Sequence, residues 1–132
     1  MRNVAVILLS VVLGSAKAAP EAVRETLLMK KDISDYAGSD MALTVRELEF
    51  PPGFEGTKHR HPGPVFVCVL DGSLEIELEG NSPKTYRQGQ CFAEEPHQLH
   101  VYSRNASKTE PVRLISYVLT RNGEPLVLPE KN

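Results

Sequence analysis

The chain has 132 residues, 41% of them hydrophobic, and 24% charged side chains that leave a formal net charge of -2. That length fits one compact domain and little more. The near-balanced charge excludes the clustered Lys/Arg excess that a phosphate-binding face needs, so a small molecule or an ion is expected as partner and no nucleic acid.

The opening stretch, MRNVAVILLSVVLGSAKAAP, has one early cation (Arg2), an apolar run from Val4 to Leu13, and then Ala16 and Ala18 spaced as in an A-x-A cleavage site. It predicts a signal peptide over residues 1–18 and a secreted or periplasmic mature domain over 19–132. The run is about half of the roughly 20 apolar residues that span a bilayer, so no stable membrane anchor is expected after cleavage. Export makes Cys68 and Cys91, the two cysteines of the chain, candidates for one disulfide. Both sit in apolar strand-like runs, VFVCVL and QCFA, where a free cysteine packs well, and this favours two unpaired thiols.

Ten prolines and nine glycines, all but Gly14 beyond the leader, cut the chain into segments too short for most helices. Val23 to Lys31 has the composition of either a short helix or a strand. Met41 to Phe50 reads as a strand stopped by Pro51-Pro52-Gly53, and Val65 to Leu70 as a β-branched strand ending at the hairpin signal Asp71-Gly72. In SLEIELEG, Leu74, Ile76 and Leu78 alternate with Glu75, Glu77 and Glu79, which places apolar side chains inward and carboxylates in water. Short strands follow at KTYR, CFAEEP and Leu99 to Ser103, and a long one at Val112 to Thr120. Thr120 to Asn132 reads as a tail packed loosely on the body. Many short strands with turns between them imply an all-β sandwich or barrel, its main body about residues 41–120.

All four histidines fall in two clusters. Residues two apart in a strand point to one side, so His59 and His61 present two imidazoles together while Arg60 faces away. His97 and His100 come some forty residues later, beside the turn signal EEPHQLH. Three imidazoles converging from two strands suit a divalent transition metal (Fe, Zn, Mn, Ni or Cu) with open positions left for water or substrate. Asn105-Ala106-Ser107 is a glycosylation sequon. No G-x-S-x-G elbow, glycine-rich phosphate loop or C-x-x-C pair is present.

The stretch G53-F-E-G-T-K-H59-R-H61, closed by Gly72 after VFVCVLD, is similar to the first motif of the cupins, and G89-Q-C-F-A-E-E-P-H-Q-L-H100-V-Y-S-R-N105 echoes the second. The chain resembles a small single-domain cupin over essentially all of its mature length. That resemblance implies a double-stranded β-helix, or jelly-roll barrel, with His59, His61 and His100 as metal ligands. It also makes a homodimer, formed by swapping or adding strands such as Val23 to Lys31, an expected assembly. Two departures stand out. The glutamate that follows H-x-H in the family is missing, its stretch being Pro64, Val65 and Phe66. The Pro-x-Gly turn reads Glu95-Pro96-His97, and Asn105 comes one residue late.

A neutral three-His set leaves the charge of the ion uncompensated and open to an anionic or oxygen-chelating ligand. Glu94 is a candidate carboxylate from the second cluster. Tyr102, two residues beyond His100, is expected to share its face and offer a hydroxyl inside the barrel. With Tyr102 and Glu94 as candidate catalytic groups, the sequence supports a small metal-dependent, dioxygenase-like enzyme acting on an oxygen-rich substrate. The competing reading is a non-enzymatic carrier or sensor of a small ligand or metal. The two differ in whether the site keeps open coordination beside a polar, substrate-sized pocket.

Overall fold

The computed structural model describes residues 21–34 and 40–130. The apolar leader and its cleavage site lie outside the described residues. Ten strands follow one another: β1 (Arg24–Asp32), β2 (Met41–Phe50), β3 (His59–Arg60), β4 (Val65–Asp71), β5 (Ser73–Leu78), β6 (Lys84–Arg87), β7 (Cys91–Glu94), β8 (His100–Arg104), β9 (Val112–Arg121) and β10 (Leu128–Pro129). They form two five-stranded sheets of order β1-β2-β9-β4-β7 and β10-β3-β8-β5-β6, antiparallel throughout. This is the all-β body that the short-strand pattern predicts, in the jelly-roll form that the cupin resemblance implies.

The inner faces follow from the two-residue period of each strand. Along β9, Val112, Leu114, Ser116, Val118 and Thr120 are buried and the residues between them are not. Phe50, Val65, Val67, Val69, Leu74, Val112, Leu114 and Val118 make one core cluster between the sheets. Burying each such side chain contributes about 1.5–3 kcal/mol.

Connections fix the strands at close quarters. Gly72 sits at φ 77° in the β4–β5 turn, the left-handed conformation that the Asp71-Gly72 signal anticipates. Gly63, between β3 and β4, is demanded by space instead: a Cβ there would come 1.8 Å from the Leu119 carbonyl oxygen of β9.

Three expectations are corrected. Cys68 and Cys91 are directly opposed in the β4–β7 ladder, with Cα atoms 4.1 Å apart, and they are joined in a disulfide. Apolar neighbours in sequence did not reveal that both side chains point to the outer face, where strand pairing brings them within reach. The C-terminal segment is part of the barrel: β10 pairs with β3, and Arg60 donates a 3.0 Å hydrogen bond to Glu130. The Asn105 amide is no glycan acceptor, because it is buried and donates to the carbonyls of Phe50, Pro51 and Glu110. The open choice at Val23 to Lys31 resolves as β1, a strand paired with β2 and exposed along its whole length.

Candidate metal centre

The short strand β3 pairs with β8 so that His59 lies directly across from His100, and His61 follows on the same side as His59. Ligand atoms of all three imidazoles lie within 4.8 Å of one another. His59 Nε2 and His100 Nδ1 are 3.0 Å apart. The far nitrogens of His59 and His61 are tied to the backbone. His59 Nδ1 donates to the Thr57 carbonyl at 2.8 Å, and His61 Nδ1 donates to the Leu126 carbonyl at 2.6 Å. Each bond fixes one tautomer and leaves an Nε2 lone pair facing inward, as orienting partners do for metal-bound histidine. The C-terminal segment, read from sequence as a loose tail, thus sets the orientation of His61.

Glu94, the last residue of β7, completes the cluster. It is 4% exposed, and its Oε2 stands 3.4 Å from His61 Nε2 and 3.6 Å from His100 Nδ1. In the β4–β7 ladder Glu94 is the direct partner of Val65, one of the residues in the stretch that lacks the motif glutamate. A carboxylate thus stands on the same inner face, on the strand that pairs with β4. Burial pushes the Glu94 carboxyl up to about 7 and, aided by the charges of His59 and His61, pushes His100 down to about 3. Burial also lowers His61, with electrostatic effects of His59 and Arg46 adding to it against the bond to Leu126.

The centre borders a cavity of about 190 Å³ whose walls include Leu48, Phe50, Val67 and Leu114. Among the described residues, five buried side-chain polar atoms lack a hydrogen-bond partner. Four of them, His100 Nε2, Glu94 Oε2, Arg46 Nε and Ser116 Oγ, belong to residues that line this one cavity. An orphaned buried polar atom costs about 1–3 kcal/mol, so this concentration is the mark of a site built for a guest. Three imidazoles and a carboxylate suit zinc, iron, manganese, nickel or copper, and around a tetrahedral ion with bonds of about 2.0–2.1 Å such donors stand roughly 3.3 Å apart. The 3.4 and 3.6 Å separations of Glu94 from His61 and His100 are close to that spacing, and the three imidazole donors lie within 4.8 Å of one another.

Tyr102 is placed elsewhere. A bulge in the β5–β8 pairing lets Leu78 face His100 while Glu77 faces Tyr102, so Val101 is the extra residue and the alternation resets. Ser103 therefore shares the inner face with His100. Tyr102 turns to the outer face and donates to Glu75 at 2.6 Å, a bond that raises its pKa further above the usual phenol value. His97 is exposed and acts through its backbone, as its N–H donates to the His61 carbonyl and its carbonyl accepts from Arg60. Glu95 is exposed as well.

Arg46 is a residue of the site that the sequence reading missed. The signal was present in MALTVRELEF: Ala42, Thr44, Leu48 and Phe50 alternate on one face, and Arg46 falls on that face with them. It is 9% exposed and its guanidinium is held by Glu25 of β1 at 2.9 Å.

Residues 46–118 match the family model described as the cupin domain, a span that holds both histidine clusters and Glu94. The chain belongs to the cupin family. A cupin 2 domain-containing protein from Halorhodospira halophila shares 18% identity at TM-score 0.64, over 89% of this cupin and 76% of that chain. An oxalate oxidase in complex with glycolate shares 20% identity at TM-score 0.59, over 85% of this chain and 57% of the other. A DMSP lyase from Ruegeria pomeroyi shares 21% at TM-score 0.56, over 71% and 47%. Among curated proteins no match is found. At these identities the likeness is one of fold.

Proposed function

We propose that this cupin is an exported metalloprotein in which His59, His61, His100 and Glu94 hold one divalent transition metal, and that it acts as a small dioxygenase-like enzyme on an oxygen-bearing small molecule. The observation that carries the reading is the pinning of His59 and His61 through Nδ1 to backbone carbonyls, which aims both Nε2 atoms at a cavity where His100 and Glu94 hold unpartnered atoms. When bound, the ion supplies Lewis acidity and, if iron, manganese or copper, electron transfer.

The residues of the chain do the rest. Apolar walls exclude water, the imidazoles are oriented before any ligand arrives, and Glu94 brings negative charge to a set that would otherwise be neutral. That two neighbours of the fold are an oxalate oxidase with glycolate and a DMSP lyase supports small-molecule chemistry by analogy. The Cys68–Cys91 disulfide supports an oxidising compartment, in keeping with the leader-like N-terminus.

Metal analysis of the purified protein and of a His59→Ala/His61→Ala variant tests the centre. The wild type should carry about one transition-metal ion per chain and the variant almost none. Negligible metal in both, after growth with each candidate ion, overturns the reading.

A further inference from the structure

The cavity has a second polar pole that the metal centre leaves unused. Arg46 on β2 and Ser116 on β9 are direct partners in the β2–β9 ladder, so their side chains project side by side from the inner sheet face. Both are buried, at 9% and 2% exposure, and each presents an atom with no partner, Arg46 Nε and Ser116 Oγ. Around them the wall is apolar, formed by Leu48, Val67 and Leu114. A buried guanidinium with a free N–H beside a free hydroxyl is a two-donor cradle for one anion. The chain shows that a carboxylate suits this guanidinium, because the half-exposed Glu25 of β1 engages its Nη1. Glu25 takes one edge of the fork and leaves the Nε edge open.

We propose that Arg46 and Ser116 form an anion subsite that takes the carboxylate of a small monocarboxylic acid with an apolar body. The open donors select a single carboxylate: Glu25 already holds Arg46 at Nη1, so Arg46 offers its Nε edge, and Ser116 adds one hydroxyl beside it. The apolar wall selects the body of the ligand: a polyhydroxylated or dianionic compound would bury polar groups without partners there. The inference rests on the cavity being the ligand site of the proposed metalloprotein and gives that ligand a chemical class.

Calorimetric titration of butyrate and of its uncharged isostere butyramide tests it at pH 6, on metal-stripped protein and on protein reloaded with zinc. In the stripped protein Arg46 is the one guanidinium lining the cavity, and the edge that Glu25 leaves free is open to a carboxylate with no metal present. The wild type should therefore prefer butyrate by about tenfold or more without any metal, as expected for hydrogen bonds to a charged group. Arg46→Met should abolish that preference, and Ser116→Ala, a mild change that preserves the fold, should reduce it about threefold. Equal binding of acid and amide by the stripped wild type, or a preference unchanged in both variants, overturns the subsite. Zinc uptake, read in the same titrations, reports separately on the metal centre: a butyrate preference in protein that takes up no zinc upholds the subsite while removing the metal.

Discussion

Burial holds the Glu94 carboxyl at about 7 and His100 at about 3, so the metal-free site at neutral pH contains an uncharged His100 beside a carboxyl near its midpoint. The two shifts have opposite signs for stability. Glu94 is raised above its ordinary 4.5, so its contribution is full below pH 4.5 and is lost as pH rises through about 7. His100 is lowered from 6.5, so its contribution is present above 6.5 and is lost as pH falls towards about 3. Between 4.5 and 6.5 unfolding releases a proton from Glu94 and binds one at His100, and the two nearly cancel. Glu94→Gln removes one side of that balance. Metal-free Glu94→Gln should lose stability as pH falls from 6.5, by up to about 1.4 kcal/mol per pH unit relative to the wild type, in urea unfolding. Parallel curves for the two proteins would show that burial does not hold these protons. At this scale the histidines were legible because residue types and spacing alone define an H-x-H claw. Tyr102 and Ser103 were not, because the bulge at Val101 is a property of pairing between β5 and β8 and has no local signature in HVYSR.

Two elements position the site, and each is held by a feature of modest energy. Strand β7 is a four-residue edge strand that ends in Glu94, and the Cys68–Cys91 bond staples its start to β4. With 23 residues separating the cysteines, chain-entropy reasoning gives about 3 kcal/mol. Cys68→Ser/Cys91→Ser should lower the free energy of unfolding by about that amount and, by loosening β7, weaken metal binding as well. Guanidinium unfolding and a metal titration on the same sample check both effects. The turn that leads into β8 carries the other feature. His97 sits at φ 60°, where the family motif has glycine, and a non-glycine residue pays about 1–2 kcal/mol there. His97→Gly keeps the backbone bond to His61 and should raise the melting temperature by a few degrees. A lower melting temperature would mean that the imidazole itself is needed. Strand existence was legible from apolar runs and turn residues. Which cysteines and carboxylates face one another was not, since cross-strand register depends on closure of the whole sheet.

Across the whole molecule, both sheets contribute to the site, the histidines from one and Glu94, Arg46 and Ser116 from the other. β3 and β8 supply the histidines, β7 the carboxylate, and β2 with β9 the Arg46–Ser116 pair. The barrel class and the convergence of distant histidines follow from pattern and from the cupin motifs. The place of Glu94 beside them does not, because the motif position on β4 is a valine and the nearby carboxylate belongs to the strand that pairs with it. The central claim is that Glu94 stands in for that missing glutamate. A competition titration of zinc affinity on wild type, Glu94→Val and Val65→Glu/Glu94→Val tests it most directly. The single variant should bind at least about tenfold more weakly, and the exchanged pair, which returns the carboxylate to β4, should regain most of that loss. Wild-type affinity in Glu94→Val, with no gain from the exchange, would contradict the account.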